Sequence, residues 1–186
     1  MNFIMRLLFL FLSVVAVGIA AGCDISKKTN TNTISQGEKM ETINQTEPIY
    51  VVGIELKTSN DKAFKEIPLH WQKFYQESIL DKIPNKVSHD VYAVYTNFQN
   101  EGKNNEGVYS FIIGSQVKNL DQVPPTFVAT TIPKSNRQVF KVPAGHPEKV
   151  GEKWQEIWNT NIKKTYIADY ERYQESGDIS IFIGIK

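Results

Sequence analysis

Twice between Ile49 and Ile185 the apolar residues run through the order strand, helix, strand, strand, and this repetition restricts the fold more than any single motif. In the first round, residues 49–56 are rich in strand formers. A helix follows, capped by Asn60 or Asp61, with Phe64, Ile67, Trp71, Phe74, Tyr75 and Ser78 along one face. Pro68 predicts a short first turn and a main helix beginning near it. Strands are expected at 91–98 and 108–114, joined by a polar loop that carries Gly102 and Gly107. Residues 120–133 hold three prolines and read as a connection that pairs briefly around Phe127, Val128 and Ala129.

The second round starts with a strand at 137–142. Gly145-His146-Pro147 opens a helix, and Val150, Trp154, Ile157, Trp158 and Ile162 give it an apolar face. Strands at 167–173 and 179–185 complete it. Both rounds close on similar text, Phe111-Ile112-Ile113-Gly114 and Ile181-Phe182-Ile183-Gly184, as a duplication would leave. The expected fold is α+β: a pseudo-twofold duplication of a strand-helix-strand-strand unit, with two main helices.

Matching the halves so that Tyr95 falls on Tyr173 also puts Tyr92 on Tyr170 and Ala93 on Glu171. Side chains alternate along a strand, so Asp169, Glu171 and Tyr173 share one face. The symmetric picture turns Tyr92 and Tyr170 toward the helices, and Ala93, Tyr95, Glu171 and Tyr173 toward a cleft between the halves. A carboxylate among aromatic rings suits an organic cation, because ring faces attract positive charge and one anion fixes it. On the pattern alone Glu171 equally fits a solvent-facing edge strand.

The N-terminus has a different logic. Arg6, an apolar run over residues 7–17 and small residues before Cys23 form an export signal covering residues 1–22. Ala20-Ala21-Gly22-Cys23 resembles the lipobox of bacterial lipoproteins, in which the cysteine is lipidated and becomes the new N-terminus. Cys23 is the only cysteine, so no intramolecular disulfide can form. Residues 23–47, almost devoid of apolar periodicity, read as a lipidated cysteine and a disordered tether reaching roughly 25–30 Å. The folded domain is then expected over 48–186, lipid-anchored in the cell envelope on the extracytoplasmic side, which is periplasmic in a Gram-negative host.

Composition narrows the function classes. Without its first 22 residues the chain has 20 basic and 20 acidic side chains, a balance unlike a nucleic-acid-binding surface. His70, His89 and His146 are widely separated and lack metal-ligand spacing. There is no Gly-x-Ser-x-Gly elbow, and nothing in the sequence calls for a cofactor.

Taken in order, Tyr92-Ala93-Val94-Tyr95, residues 109–114, Ile132-Pro133, the Trp154-Gln155-Glu156-Ile157-Trp158 helix, residues 169–173 and Ile183-Gly184-Ile185 resemble the gyrase-inhibitor-like small-molecule-binding family. That family includes the effector-binding domains of AraC-type and MerR-type multidrug-responsive activators. The resemblance implies a strongly bent antiparallel sheet with a ligand cleft at the pseudo-twofold. It also implies that Glu171 pairs with cationic aromatic ligands and that Tyr173 follows it in the motif. Unlike those regulators, this chain carries no DNA-binding helices.

The expected ligand-binding residues are Glu171, Tyr173, Tyr95, Tyr109, Phe111 and Trp158, with aromatic strand residues equally at home in a core. Of the two helix tryptophans, one is expected in the core and Trp158 in the cleft. The leading expectation is a non-enzymatic, membrane-tethered domain that binds hydrophobic, cationic aromatic small molecules. The alternatives are a hydrolase of reactive aromatic electrophiles with Glu171 as general base, and a scaffold lipoprotein for a protein partner. The oligomeric state stays open.

Overall fold

A computed structural model describes residues 41–186. The export signal, Cys23 and most of the expected tether lie outside the described residues. In chain order come β1 (Glu41–Gln45), β2 (Ile49–Ser59), α1 (Asn60–Gln76), α2 (Ile79–Lys82), β3 (Val91–Thr96), β4 (Val108–Gln116), β5 (Val128–Ile132), β6 (Ser135–Val142), α3 (Val150–Trp158), β7 (Ala168–Tyr173) and β8 (Ile179–Ile185). A single 3-10 turn, Pro147–Lys149, leads into α3.

All eight strands form one antiparallel sheet in the order β1-β6-β8-β7-β3-β4-β2-β5. The order is symmetric about the β7–β3 seam: β3, β4 and β2 on one side answer β7, β8 and β6 on the other. The edge strands β5 and β1 answer each other too. The expected duplication is therefore built into the ladder. Ala93 pairs with Ile113, and Glu171 pairs with Ile181, so the strand equivalence lies two residues from the textual match of Ile113 with Ile183. A two-residue shift keeps every side chain on its face.

β5 is one edge of the sheet and β6 stands next to the other, yet only Pro133 and Lys134 join them. The sheet must therefore roll until its ends meet. Arg137, wholly buried, fastens the join. Its Nη2 donates to the Pro133 carbonyl at 2.8 Å, its Nε to Gln45 Oε1 at 2.7 Å and its Nη1 to the Ala168 carbonyl. The guanidinium lies 5.2 Å from the Tyr170 ring centroid.

Rolling divides the core. Inside the roll, strand residues alone pack together: Val51, Tyr92, Val94, Ile112, Ile132 and Tyr170, with Phe182 stacked on Tyr170 at 4.5 Å. On the other face, α1 buries Phe74 against Ile54, Ala93, Phe111 and Ile113, and α3 buries Val150 and Ile157 against Phe140, Ile181 and Ile183. Tyr92 and Tyr170 thus point away from the helices, contrary to expectation. Ala93, Tyr95 and Tyr173 lie on the helix side. Alternation shows which residues share a face but not which face receives the helices.

Other differences have local causes. β1 falls inside the stretch expected to be tether, because a polar edge strand gains backbone hydrogen bonds without an apolar face. Helix α1 runs unbroken through Pro68, which costs one backbone bond in a helix anchored by Phe74 and His70. Phe64, expected on the buried face, is 87% exposed. Ser78, in the left-handed region at φ 50°, ends α1 and starts the short α2. Helix α3 stops at Trp158, short of Ile162, where the Thr160 hydroxyl donates to the Ile157 carbonyl at 2.6 Å.

Candidate functional site

The β3–β7 seam pairs Ala93 directly with Glu171. These two were also equated by the matching of the halves, so the pseudo-twofold passes between them. Ala93 and Glu171 both face the helix side of the sheet, where the small Ala93 side chain sits in the packed core and the Glu171 carboxylate meets helix α3. Only 2% of Glu171 is exposed.

Three neutral donors hold the carboxylate. The Tyr95 hydroxyl, diagonal to Glu171 across the seam, donates to Oε1 at 2.8 Å, and the Trp154 Nε1 on α3 donates to the same oxygen at 2.6 Å. The Tyr173 hydroxyl, two residues along β7 on the same face, donates to Oε2 at 2.6 Å. No cation pairs with Glu171 among the described residues. Burial raises its pKa above the usual carboxylate range, and the hydrogen bonds from Tyr173, Trp154 and Tyr95 pull the other way. Burial, reinforced by the charge of Glu171, pushes the Tyr95 and Tyr173 hydroxyls well above their ordinary value.

An aromatic lining surrounds this anion. The Trp154 ring meets Tyr95 edge-on at 5.0 Å, and Trp71 from α1 meets Tyr173 edge-on at 5.1 Å. Phe111 and Tyr109 stand behind Tyr95 at 4.9 and 6.1 Å, so they back the wall rather than touch the carboxylate. Burial pushes the Tyr109 hydroxyl up to about 12. Of the six expected residues, then, Glu171, Tyr173 and Tyr95 meet directly, while Phe111 and Tyr109 support them.

Trp158 stands elsewhere. It is 54% exposed, its ring 6.2 Å from Trp154, and it lines an outer pocket of about 420 Å³ with Asn60, Thr160, Lys164 and Tyr166. The helix residue at Glu171 is Trp154. Its spacing from Val150 and Ile157, the two buried residues of α3, places it on the inward stripe and is the signal that separates it from Trp158. Asp169, on the same face of β7 as Glu171, accepts the Gly184 N–H at 2.8 Å, and burial raises it to about 6.

Chemically, the arrangement is a desolvated carboxylate whose three hydrogen-bond partners are all neutral. General-base chemistry would first have to free an oxygen, since both already accept hydrogen bonds.

Comparison with known structures finds the same fold in an integron cassette protein from the mobile metagenome of Vibrio cholerae. It is 23% identical, with a TM-score of 0.62, over 79% of this chain and 95% of that one. SAV2435, solved bound to tetraphenylphosphonium, is 18% identical with a TM-score of 0.64, over 80% and 94%. A Staphylococcus aureus protein described as a putative bacterial transcription regulation protein is 18% identical with a TM-score of 0.61, over 80% and 97%. No curated protein matches. The sequence model of the integron-associated effector binding proteins, Cass2, matches residues 42–185, from the edge strand β1 to the end of β8, and the chain belongs to this family, with a gyrase-inhibitor-like small-molecule-binding domain.

Proposed function

We propose that the domain binds hydrophobic, cationic aromatic molecules at Glu171, with Tyr95, Tyr173, Trp154 and Trp71 as the enclosing surface. The observation that carries this reading is the pairing of a 2%-exposed carboxylate with three neutral donors and no cation among the described residues. An arriving cation takes the place of the Trp154 N–H at Oε1, and the surrounding rings contribute on the order of 0.5–2 kcal/mol each through their faces. The similarity to a protein solved with tetraphenylphosphonium supports the same chemical class.

Titration of the full chain with tetraphenylphosphonium, followed by tryptophan fluorescence, tests the proposal. Saturable binding that weakens in Glu171→Gln supports it; equal affinity in both proteins overturns it.

A second part of the proposal concerns place. Arg6, the apolar run over residues 7–17 and the Ala20-Ala21-Gly22-Cys23 motif support export and lipidation at Cys23, which would hold the binding domain at the outer side of a bacterial membrane. Incorporation of labelled palmitate into the wild type and its loss in Cys23→Ser is the expected outcome. Absence of label from the wild type would refute it.

A further inference from the structure

Outside the aromatic box, the segment carrying Lys164 is held firmly. Its backbone bridges to Ile185, Thr165 N–H donates to the Gly184 carbonyl at 2.7 Å, and Lys186 N–H donates to the Lys163 carbonyl at 2.9 Å. From this segment the Lys164 ammonium reaches over the ring of Trp154, 6.0 Å from its centroid. Trp154 is the same indole whose N–H reaches Glu171. The indole therefore stands between a carboxylate and an ammonium.

The ammonium opens onto the 420 Å³ outer pocket, where Trp158 and Tyr166 supply ring surface and Asn60 and Thr160 supply polar edges. Among the described residues no carboxylate pairs with it. Asp169 acts on it electrostatically from beyond salt-bridge distance but is itself buried and held by the Gly184 N–H, so the half-buried ammonium still offers its donors to an anion in the pocket.

We infer that the Lys164 pocket is an anionic subsite adjoining the Glu171 box, so that the preferred ligands are zwitterionic aromatics. Their cationic ring system engages Glu171, and a carboxylate or sulfonate engages Lys164. The zwitterionic preference rests on the Glu171 reading, whereas the anion subsite stands without it. A purely cationic ligand fills one site and leaves the Lys164 donors unused at the other, so Lys164 discriminates between two molecules that Glu171 alone would treat alike.

The test uses a xanthylium dye with a free carboxylate and the same dye as its methyl ester, titrated against the full chain. Wild type is expected to bind the free acid roughly tenfold more tightly than the ester, as one charge-assisted contact provides. Lys164→Met should bring the ratio close to unity with the ester bound at least as well as before, and Lys164→Arg should restore the preference. Glu171→Gln should weaken both dyes by a similar factor. An acid-to-ester ratio unchanged by Lys164→Met overturns the subsite. Should Glu171→Gln leave both dyes unaffected while Lys164→Met still abolishes the ratio, the anion subsite is upheld and the Glu171 reading fails.

Discussion

Ala93 and Glu171 face each other across the β3–β7 seam, on the pseudo-twofold that relates the two halves of the sheet. A symmetric backbone thus carries an asymmetric pair, a methyl group from one half and a carboxylate from the other. Tyr95, Tyr173 and Trp154 converge on the charge opposite the small partner.

Enlarging the residue opposite Glu171 should harm the site without touching its charge. Ala93 is wholly buried, so Ala93→Leu is expected to cost about 1–3 kcal/mol in stability by overpacking. Organic-cation affinity should fall with it. Denaturant midpoints together with tetraphenylphosphonium titration check both effects.

Arg137 joins the ends of the rolled sheet, and its loss takes the guanidinium donors from the Ala168 carbonyl and from Gln45 Oε1 and leaves the Pro133 carbonyl with the Gln45 Nε2 at 3.2 Å. Arg137→Met is expected to destabilise by about 3 kcal/mol or more, since each buried unsatisfied group costs on the order of 1–3 kcal/mol. Hydrogen exchange should show faster opening of β1 and β5 than of β3 and β7.

Asp169 gives a pH dependence opposite to that of most carboxylates. Its folded pKa, about 6, is above the ordinary value of 3.8, so the folded state holds the proton more tightly than the unfolded one. Its contribution is full below pH 3.8 and is lost as pH rises to about 6. Over that interval wild type should lose stability relative to Asp169→Asn, by up to about 2–3 kcal/mol for a shift of this size. Paired denaturation curves at both ends of the interval measure the difference.

His70 acts in the other direction. Its Nε2 lies 3.1 Å from the Ile54 carbonyl, and burial lowers its pKa below 6.5. A depressed histidine pKa means that the folded state resists protonation. The contribution is full above pH 6.5 and declines as pH falls below it. His70→Gln, which keeps a donor for Ile54, should lessen the loss of stability on acidification, as read by thermal midpoints across that range.

The order of elements and the pseudo-twofold were legible because Val, Ile and aromatic residues alternate clearly in β3, β4, β7 and β8. Glu171, Tyr95 and Tyr173 followed from alternation plus the matching of the halves. What escaped was set by tertiary context. β1 has no apolar face to announce it, and Arg137 reads as an ordinary polar strand residue until the roll of the sheet buries it. Trp154 and Trp158 share a helix, and the spacing of Trp154 from Val150 and Ile157 tells which indole turns inward once those two are known to be the buried positions.

Glu171 also predicts how binding responds to pH. Its pKa is raised by burial, so acidification protonates it before an ordinary carboxylate, and cation affinity should fall as pH drops through that raised value. In Glu171→Gln the same titration should be flat.

The central claim, that buried charge rather than aromatic surface alone selects the ligand, is tested most directly by a paired titration. Tetraphenylphosphonium and the uncharged triphenylphosphine oxide are each bound to wild type and to Glu171→Gln. The expected result is that the variant binds the cation at least roughly tenfold more weakly, as loss of a buried charge partner implies, and binds the neutral molecule about as before. Equal changes for the two ligands, or no change for either, would contradict it.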